Sequence, residues 1–399
     1  MLLEIFSATL LGLLAGIVTG LVPGIHINLV AVFLLSLAPL LLEFFQPMTL
    51  AIFIVSMSVN HTFLDTIPSI FLGAPDPDAA LSILPGHQLL LEGKGYEAVA
   101  LTIIGSFFSL IIALILTPLI ILVSRFIYPL IQSKIGWILI VACLLLIIKE
   151  RGSKLLALVL FFLSGTLGIA ILNSTIKDPL FPLFSGLFGI SSLILSLNSK
   201  TELPLQEITF PVLEKIQTIK SLTLSIITGI CSAFTPGLGP SQAAALSTTF
   251  FKNLKSKYFL IIIGGLSTIN MVVGFIALYT INKARNGSVI AISKLIQTFT
   301  FNDLILLLSV TLFVGGIATI LALSITKIFS KFVERVNYKK LCISIILLIT
   351  ALTLILSGPL GLLVLTTSTL LGMIPQTSTV QRHHLMGCLL LPVILFFIL

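Results

Sequence analysis

Charged residues are scarce in this chain, and their scarcity excludes a soluble protein. Asp, Glu, Lys and Arg make up 9% of the 399 residues, whereas hydrophobic residues make up 57%. An ordinary soluble domain carries about 25% charged residues. Apolar runs of about 20 residues, long enough to cross a hydrocarbon core, recur along the whole sequence. We therefore expect a polytopic α-helical protein that crosses the cell membrane several times.

Other absences narrow the functional classes. The four cysteines are widely spaced in or beside apolar runs, so we expect buried free thiols and neither a disulfide framework nor a zinc site. No GxxxxGK[ST] loop is present to hold a nucleotide. The net charge of +8 comes from bases in short loops, which set membrane orientation and indicate no nucleic-acid partner. The cysteines are Cys143, Cys231, Cys342 and Cys388.

The first apolar run, residues 2–22, resembles a signal peptide only in length. It carries Glu4, no Lys or Arg and no Ala-x-Ala motif. A secretory signal has a basic start and a small-residue cleavage site. We expect this run to be a helix of the mature protein.

The sequence contains a weak internal repeat. GIVTGLVPGIHIN, which begins at Gly16, aligns with GICSAFTPGLGPS, which begins at Gly229, and Asn60 then aligns with Asn270. Apolar segments follow in the same order in both halves. We predict a first transmembrane repeat at 1–199, a cytoplasmic linker at 200–220 and a second transmembrane repeat at 221–399.

The basic residues indicate that the two repeats are inverted. EFFQP at 43–47 has no base and its counterpart KNLKSK at 252–257 has three, whereas KERGSK at 149–154 has three and SGPL at 357–360 has none. Because Lys and Arg favour the cytoplasmic side, equivalent loops are expected on opposite sides of the membrane. The predicted fold is all-α, with two inverted repeats and broken or re-entrant helical hairpins.

A proline–glycine pair interrupts an apolar run in each half, and we expect a binding site there. Such a break leaves backbone groups that lipid cannot satisfy, so it must line an enclosed or watery cavity. Half-helix N-termini at such breaks favour an anionic ligand. A tolerated helix kink is the alternative. The predicted substrate-binding residues are Pro23, Gly24, His26, Asn28, Asn60, Pro236, Gly237, Ser241, Gln242 and Asn270.

Two titratable residues stand inside the apolar run that ends near Phe71. A carboxylate in a membrane helix is costly unless it is hydrated, paired or protonated, so Asp65 is the predicted coupling residue. His61 lies four residues earlier on the same helical face, where the two side chains could share a proton. A local pair that satisfies itself is the alternative.

Further polar residues lie in predicted turns. Gly73, Pro75, Asp76 and Asp78 form a predicted hairpin turn, in which the two aspartates are expected to cap the next short helix. His383 and His384 lack the HExxH spacing of a zinc helix, so we expect them in an interfacial loop and predict no metal site.

Three stretches resemble the large permease subunit of the tripartite tricarboxylate transporters. Residues 16–24 match the family's G-x-x-x-G-x-x-P-G pattern, 73–95 resemble its proline–glycine turn with Pro85 in place of an acid, and SGLFGISSL from Ser185 resembles the end of its first half. The second half keeps the pair at 236–237, but the chain is shorter than typical members. The resemblance implies a permease whose partners are a small membrane subunit and an extracytoplasmic binding protein.

The expected function is therefore secondary active transport of a small organic anion, a carboxylate above all. Alternating access would be driven by a proton or sodium ion, the only cofactor expected. Two alternatives stay open: a flippase for a lipid-linked phosphate, and an intramembrane enzyme, although the sequence offers no evident nucleophile–base set. We expect no enzymatic activity.

Overall fold

A computed structural model describes most of the chain. The described residues are 2–22, 30–31, 34–35, 37–73, 83–150, 152–198, 204–234, 239–247, 257–284, 286–333, 338–378 and 380–399. Over these ranges the regular structure consists of helices, with no β-strand.

Eleven α-helices and one π-helix form the described first half. They are α1 (Leu2–Leu21), α2 (Ala38–Leu41), α3 (Pro47–Leu64), α4 (Thr66–Phe71), α5 (Ile83–Leu91), α6 (Gly95–Ile115), α7 (Thr117–Gln132), α8 (Ile135–Ile148), α9 (Lys154–Leu172), α10 (Leu180–Phe184), the π-helix (Ser185–Ile190) and α11 (Ser191–Asn198).

The described second half contains seven α-helices and one 3₁₀-helix. They are α12 (Lys215–Phe234), α13 (Pro240–Ser247), α14 (Tyr258–Ile281), α15 (Gly287–Leu295), α16 (Phe301–Val333), α17 (Tyr338–Thr377), the 3₁₀-helix (Arg382–Met386) and α18 (Gly387–Ile398).

Local sequence explains several helix boundaries. Ser153 caps α9 by accepting a hydrogen bond from Leu156 N–H, and Asn286 caps α15 in the same way from Val289 N–H. Gly358, at a φ of +70°, divides α17 into two arms, 338–357 and 359–377. A residue with a side chain rarely adopts this conformation. The break coincides with the pair Gly358–Pro359 in the sequence.

Within the described ranges, eight helical segments are long and apolar enough to cross a membrane, and a ninth arises if the bent pair Thr117–Leu130 and Ile135–Ile148 forms one span. This confirms the predicted class, an all-α polytopic membrane protein. Two spans, Pro47–Phe71 and Tyr258–Ile281, are each 89% buried over their most apolar stretch, far more than lipid-facing spans such as Leu2–Leu21. They are the central helices of the molecule.

The central helices pack in pairs that recur with the two halves exchanged. Helix α3 packs on α1 in its own half and on α16 of the other half, and α14 packs on α12 and on α6. Both halves therefore contribute to one common bundle. The orientation of the halves relative to a membrane remains a prediction.

The same exchange recurs at atomic detail near the C-terminus. On α9, Ser164 Oγ donates to the His384 carbonyl 3.4 Å away and Gly168 lies against the Cys388 backbone. On α17, Ser368 Oγ donates to the Pro182 carbonyl 3.2 Å away and Gly372 lies against the Leu187 backbone. A serine followed four residues later by a glycine thus makes the same contact in both halves.

Buried apolar residues form two cores, and each draws helices from both halves. The first core contains residues of α1, α3, α6, α14, α15 and α16. The second core contains residues of α8, α9, the π-helix and α18. The helical segment 180–198 lies between them, since Leu193 packs in the first core and Leu187 in the second.

The segment between the halves is more closely attached than a solvated linker. Its predicted range, 200–220, ends inside a helix, because α12 begins at Lys215. Gln206 is buried; its amide donates to the Leu90 carbonyl and its carbonyl accepts from Gly95 N–H. Residues 205–207 therefore lie against the α5–α6 turn of the first half, and Val212 and Glu214 contact Lys257 and Tyr258 at the start of α14.

All four cysteines are free, as expected. Three are buried, but Cys231 is exposed on α12, so the predicted burial is wrong for this residue.

Candidate functional site

A stripe of glycines on α1 brings the α3 backbone close. A Cβ on Gly16 would lie 2.7 Å from the Met57 carbonyl oxygen and 2.8 Å from Asn60 Cβ, and Gly12 and Gly20 are similarly close to α3. Real Cβ atoms do not approach so closely. The three glycines are four residues apart, which puts them on one face of the helix. They set the contact on which the predicted site depends.

Asn60 lies at the centre of that contact. Its Nδ2 donates to the Leu13 carbonyl at 2.7 Å, so the amide joins α3 to α1. Its Oδ1 is buried and accepts no hydrogen bond from any described residue. A buried acceptor without a donor is costly, and a ligand could relieve that cost.

His61 and Asp65 follow on the same helix and are both buried, with 3% and 4% of their surface exposed. His61 Nδ1 lies 3.2 Å from Thr19 Oγ1, within hydrogen-bond distance. Asp65 stands at the junction of α3 and α4, where its N–H donates to the His61 carbonyl and its own carbonyl accepts from Ser69 Oγ. The acid therefore occupies a helix junction, whereas the sequence predicts a position inside one helix.

The second half has a related contact. Gly229 of α12 lies against Ile269 of α14, as Gly16 lies against Asn60. Asn270, the predicted equivalent of Asn60, follows Ile269 and is half-buried. The repeat alignment therefore places an asparagine at or next to the equivalent contact of each half.

Most residues predicted at the breaks lie beyond the described part of the chain. Gly73 is described, at a φ of +62° that suits a turn. The backbones of Ser241 and Gln242 lie in the first turn of α13. Residues outside the described ranges are Pro23, Gly24, His26, Asn28, Pro75, Asp76, Asp78, Pro236 and Gly237.

Arg382 is a buried cation that the sequence analysis missed. It is 7% exposed, and its guanidinium donates to the Leu187 and Phe188 carbonyls of the π-helix and to the hydroxyls of Ser191 and Ser192, at 2.7–3.0 Å. No carboxylate among the described residues pairs with it, and its Nε has no acceptor there. The guanidinium lies at the segment between the two cores.

Glu150 and His384, which lies two residues after Arg382, form a buried hydrogen-bonded pair. Glu150 Oε2 lies 2.7 Å from His384 Nε2. Burial alone would raise the pKa of Glu150, but hydrogen bonds from Gly152 N–H, His384 and Gln381 N–H, with the electrostatic effect of His384, lower it below its ordinary value.

The placement of His383 and His384 corrects a prediction. They lie in the 3₁₀-helix rather than in a loop, and His384 is buried there while His383 is partly buried. The chain returns between α17 and α18 to pack on α9, through the Ser164 and Phe161 contacts. The sequence signal for this placement was the run Arg382–His383–His384 directly before an apolar segment. Basic side chains that are buried beside such a segment need hydrogen-bond or charge partners in the protein.

Comparison with known proteins agrees with this architecture. The profile of the Tripartite tricarboxylate transporter TctA family matches residues 6–387. The uncharacterized protein MJ1079 of Methanocaldococcus jannaschii is 31% identical over 375 residues, which cover 92% of this chain and 93% of that protein. No solved structure matches. The chain thus belongs to the tripartite tricarboxylate transporter TctA family, and it is a multi-pass membrane protein of a transport system.

Proposed function

We propose that the chain is a secondary active permease that moves a small organic anion, a carboxylate above all, by alternating access. The observation that carries this proposal is the group of buried polar residues at the end of α3 and the α3–α4 junction, Asn60, His61 and Asp65, in one of the two most enclosed spans. A helix that served only as scaffold would not need such residues. Polar and ionisable groups at membrane depth are costly and typically mark a transport path.

Asp65 is the proposed coupling residue. Its carboxyl group is almost fully buried at the α3–α4 junction. A buried carboxylate is destabilised by lost hydration unless a proton or another cation accompanies it. Binding of a proton or sodium ion at Asp65 would therefore be linked to the conformation of this junction, and His61 is the proposed second member of the path.

The Arg382 guanidinium supports an anionic substrate. It holds a full positive charge at the segment between the cores, and the acceptors around it are neutral. Such a charge favours an anion nearby. The segment 180–198 packs on both cores, so movement of one core against the other would change what this charge contacts.

The exchanged packing of the halves supports alternating access. Pairs such as α3 with α16 and α14 with α6 have the relation expected if two repeats are related by a two-fold axis. In inverted-repeat transporters, substrate binds between the repeats and is exposed to each side in turn. A small membrane subunit and an extracytoplasmic binding protein are the proposed partners.

Uptake into proteoliposomes tests the proposal. The chain would be reconstituted alone and with its proposed partners, and uptake of labelled citrate, succinate and other small carboxylates measured with imposed proton or sodium gradients. We expect gradient-dependent uptake that Asp65→Asn abolishes. The control is Asp303→Asn, the same change at an acid near the exposed start of α16, which should leave uptake intact.

The outcome separates the alternatives. Uptake that ignores the gradient, or that survives Asp65→Asn, would contradict the coupling mechanism. If no carboxylate moves with all partners present and the protein folded, the carboxylate permease fails. Flipping of a lipid-linked phosphate would then be measured in the same vesicles, and chemical change of either compound would indicate an intramembrane enzyme.

A further inference from the structure

The 3₁₀-helix at Arg382–Met386 and the loop before α9 bring together three side chains that can bind a metal. Glu150 comes from the loop, and His383 and His384 come from the 3₁₀-helix more than 230 residues later. One ligand atom from each residue lies within 4.8 Å of the other two. Glu150 is so distant in the chain that no local motif, such as the HExxH spacing, connects it with the two histidines.

The unpartnered ring nitrogen of His383 is a second indication. His383 Nε2 is buried and has no hydrogen-bond partner among the described residues. A neutral imidazole nitrogen is either a donor or an acceptor, so either form is left unsatisfied in this position. A metal ion would use its lone pair. The His383 and His384 rings are 4.3 Å apart between centroids, so both rings face the same small volume.

The carboxylate is already held for such a role. Glu150 Oε1 accepts from Gly152 N–H at 2.9 Å, and Oε2 accepts from Gln381 N–H at 3.3 Å. Hydrogen bonds of this kind orient a carboxylate ligand for metal binding. Arg382, the residue before His383, donates to the π-helix carbonyls and to Ser191 and Ser192.

The distances suit a small ion. For three atoms at most 4.8 Å apart, there is a point that lies within about 2.8 Å of all three, close to the length of a metal–ligand bond. A contraction of roughly 0.7 Å would reach the bond lengths of about 2.0–2.2 Å that zinc makes to His and Glu. His384 and Glu150 are closer, at 2.7 Å, so they would have to separate slightly and release any proton shared between them to solvent.

We propose that Glu150, His383 and His384 form a binding site for a divalent transition metal, with zinc as the best match. Two imidazoles and one carboxylate are a zinc ligand set that leaves a fourth position for water or another ligand. The ion would join the α8–α9 loop to the start of α18 and so hold the chain return against the second core. This role is independent of transport.

Metal content of the purified full-length chain tests the site. The protein would carry an affinity tag without histidine, be stripped with EDTA in detergent and then be exposed to Zn²⁺. After gel filtration, mass spectrometry should find about one zinc per chain, the occupancy of a single three-ligand site. Co²⁺ in its place should give the visible absorption of a four-coordinate ion, which excess Zn²⁺ removes.

Single variants separate ligation from folding. His383→Gln removes the ligand whose Nε2 has no partner, so we expect a folded protein with at least a tenfold loss of zinc affinity. Glu150→Gln should lose zinc as well. The matched control is His87→Gln, which alters a buried histidine that contacts the Ile70 carbonyl far from the cluster and should keep zinc binding.

Three results would overturn the site. The stripped wild type could take up no more zinc than the Glu150→Gln/His383→Gln double variant. Zinc could bind equally well to His383→Gln, which would put the metal elsewhere. Co²⁺ could fail to give four-coordinate absorption in monodisperse wild-type protein. None of these results depends on uptake, so the site and the proposed transport function stand or fall separately.

Discussion

Asn60 is the residue at which structural and functional roles can be separated most cleanly. The Leu13 carbonyl that accepts from its Nδ2 lies within α1, where a helix donor is also available. Asn60→Leu removes one hydrogen bond but also removes the unsatisfied Oδ1. We expect stability to change by less than about 1 kcal/mol, whereas substrate uptake should fall by at least about tenfold because a polar contact is lost.

Melting temperature in detergent and uptake in proteoliposomes would be compared for this variant. The control is Ser56→Ala, one helical turn earlier on α3, whose hydroxyl bonds only the Ile52 carbonyl. It should retain uptake. Normal uptake by Asn60→Leu would assign Asn60 a packing role only.

Arg382 permits a second test at residue scale. Arg382→Lys keeps the positive charge but loses the planar fork that contacts Leu187, Phe188, Ser191 and Ser192. If the guanidinium attracts the substrate, KM for the anion should rise on the order of tenfold with a smaller change in kcat. Uptake kinetics over a range of substrate concentrations measure this split.

The control for Arg382→Lys is Arg125→Lys, an exposed arginine whose guanidinium lies over the Tyr279 ring. Its kinetics should match the wild type. A loss of folded Arg382→Lys protein, with unchanged KM in what remains, would show that Arg382 only fastens the 3₁₀-helix to the π-helix.

These residues differ in how far sequence could identify them. Asn60, His61 and Asp65 interrupt an apolar run, so their cost at membrane depth is readable without a structure. Glu150 and Arg382 lie at the ends of apolar runs, where charged residues usually face water. Their burial depends on the chain return that packs the 3₁₀-helix on α9, a long-range contact that no local pattern encodes.

At the scale of helices, the two exchanged glycine contacts make a prediction about stability. A Cβ on Gly168 would overlap the Cys388 carbonyl, and a Cβ on Gly372 would overlap the Leu187 carbonyl. Because backbone atoms cannot move aside as a flexible side chain does, Gly168→Ala and Gly372→Ala should each destabilise the protein by about 1–3 kcal/mol. Thermal unfolding in detergent measures the effect.

Gly316 of α16 is the matched control, because a Cβ there would meet nothing within 4 Å. Gly316→Ala should be neutral or stabilise the protein by up to about 1 kcal/mol through helix propensity. If alanine at 168 and 372 is tolerated as well as at 316, the close packing of α9 on α18 and of α17 on the π-helix is not required for stability.

The sequence predicts a helix boundary where a glycine or proline fixes the local backbone conformation. Gly358 followed by Pro359 predicts the division of α17, and the structure has it at Gly358. Prolines also follow the boundaries at Leu116 and Asp65, at Pro118 and Pro68, and each removes a backbone donor from a continuous helix. Whether such a proline ends a helix or only bends it depends on packing against neighbouring helices, which the sequence does not encode locally.

At the scale of the whole molecule, the predicted inversion of the repeats remains to be tested. Residue 154 at the start of α9 and residue 360 at the start of the second arm of α17 are equivalent in the two halves, and both are exposed. Inversion would place them on opposite sides of the membrane. The basic loop that contains Lys154 should be cytoplasmic.

Single cysteines at these two positions test the inversion in intact cells. Cys231→Ser first removes the exposed native thiol, and Lys154→Cys or Leu360→Cys is then added. A membrane-impermeant maleimide should label Leu360→Cys from outside, but Lys154→Cys only after permeabilisation.

Labelling of both from one side would mean parallel repeats. The exchanged packing of α3 with α16 and α14 with α6 would then reflect an axis along the membrane normal, and alternating access would require two similar halves that rock against each other rather than an inverted pair.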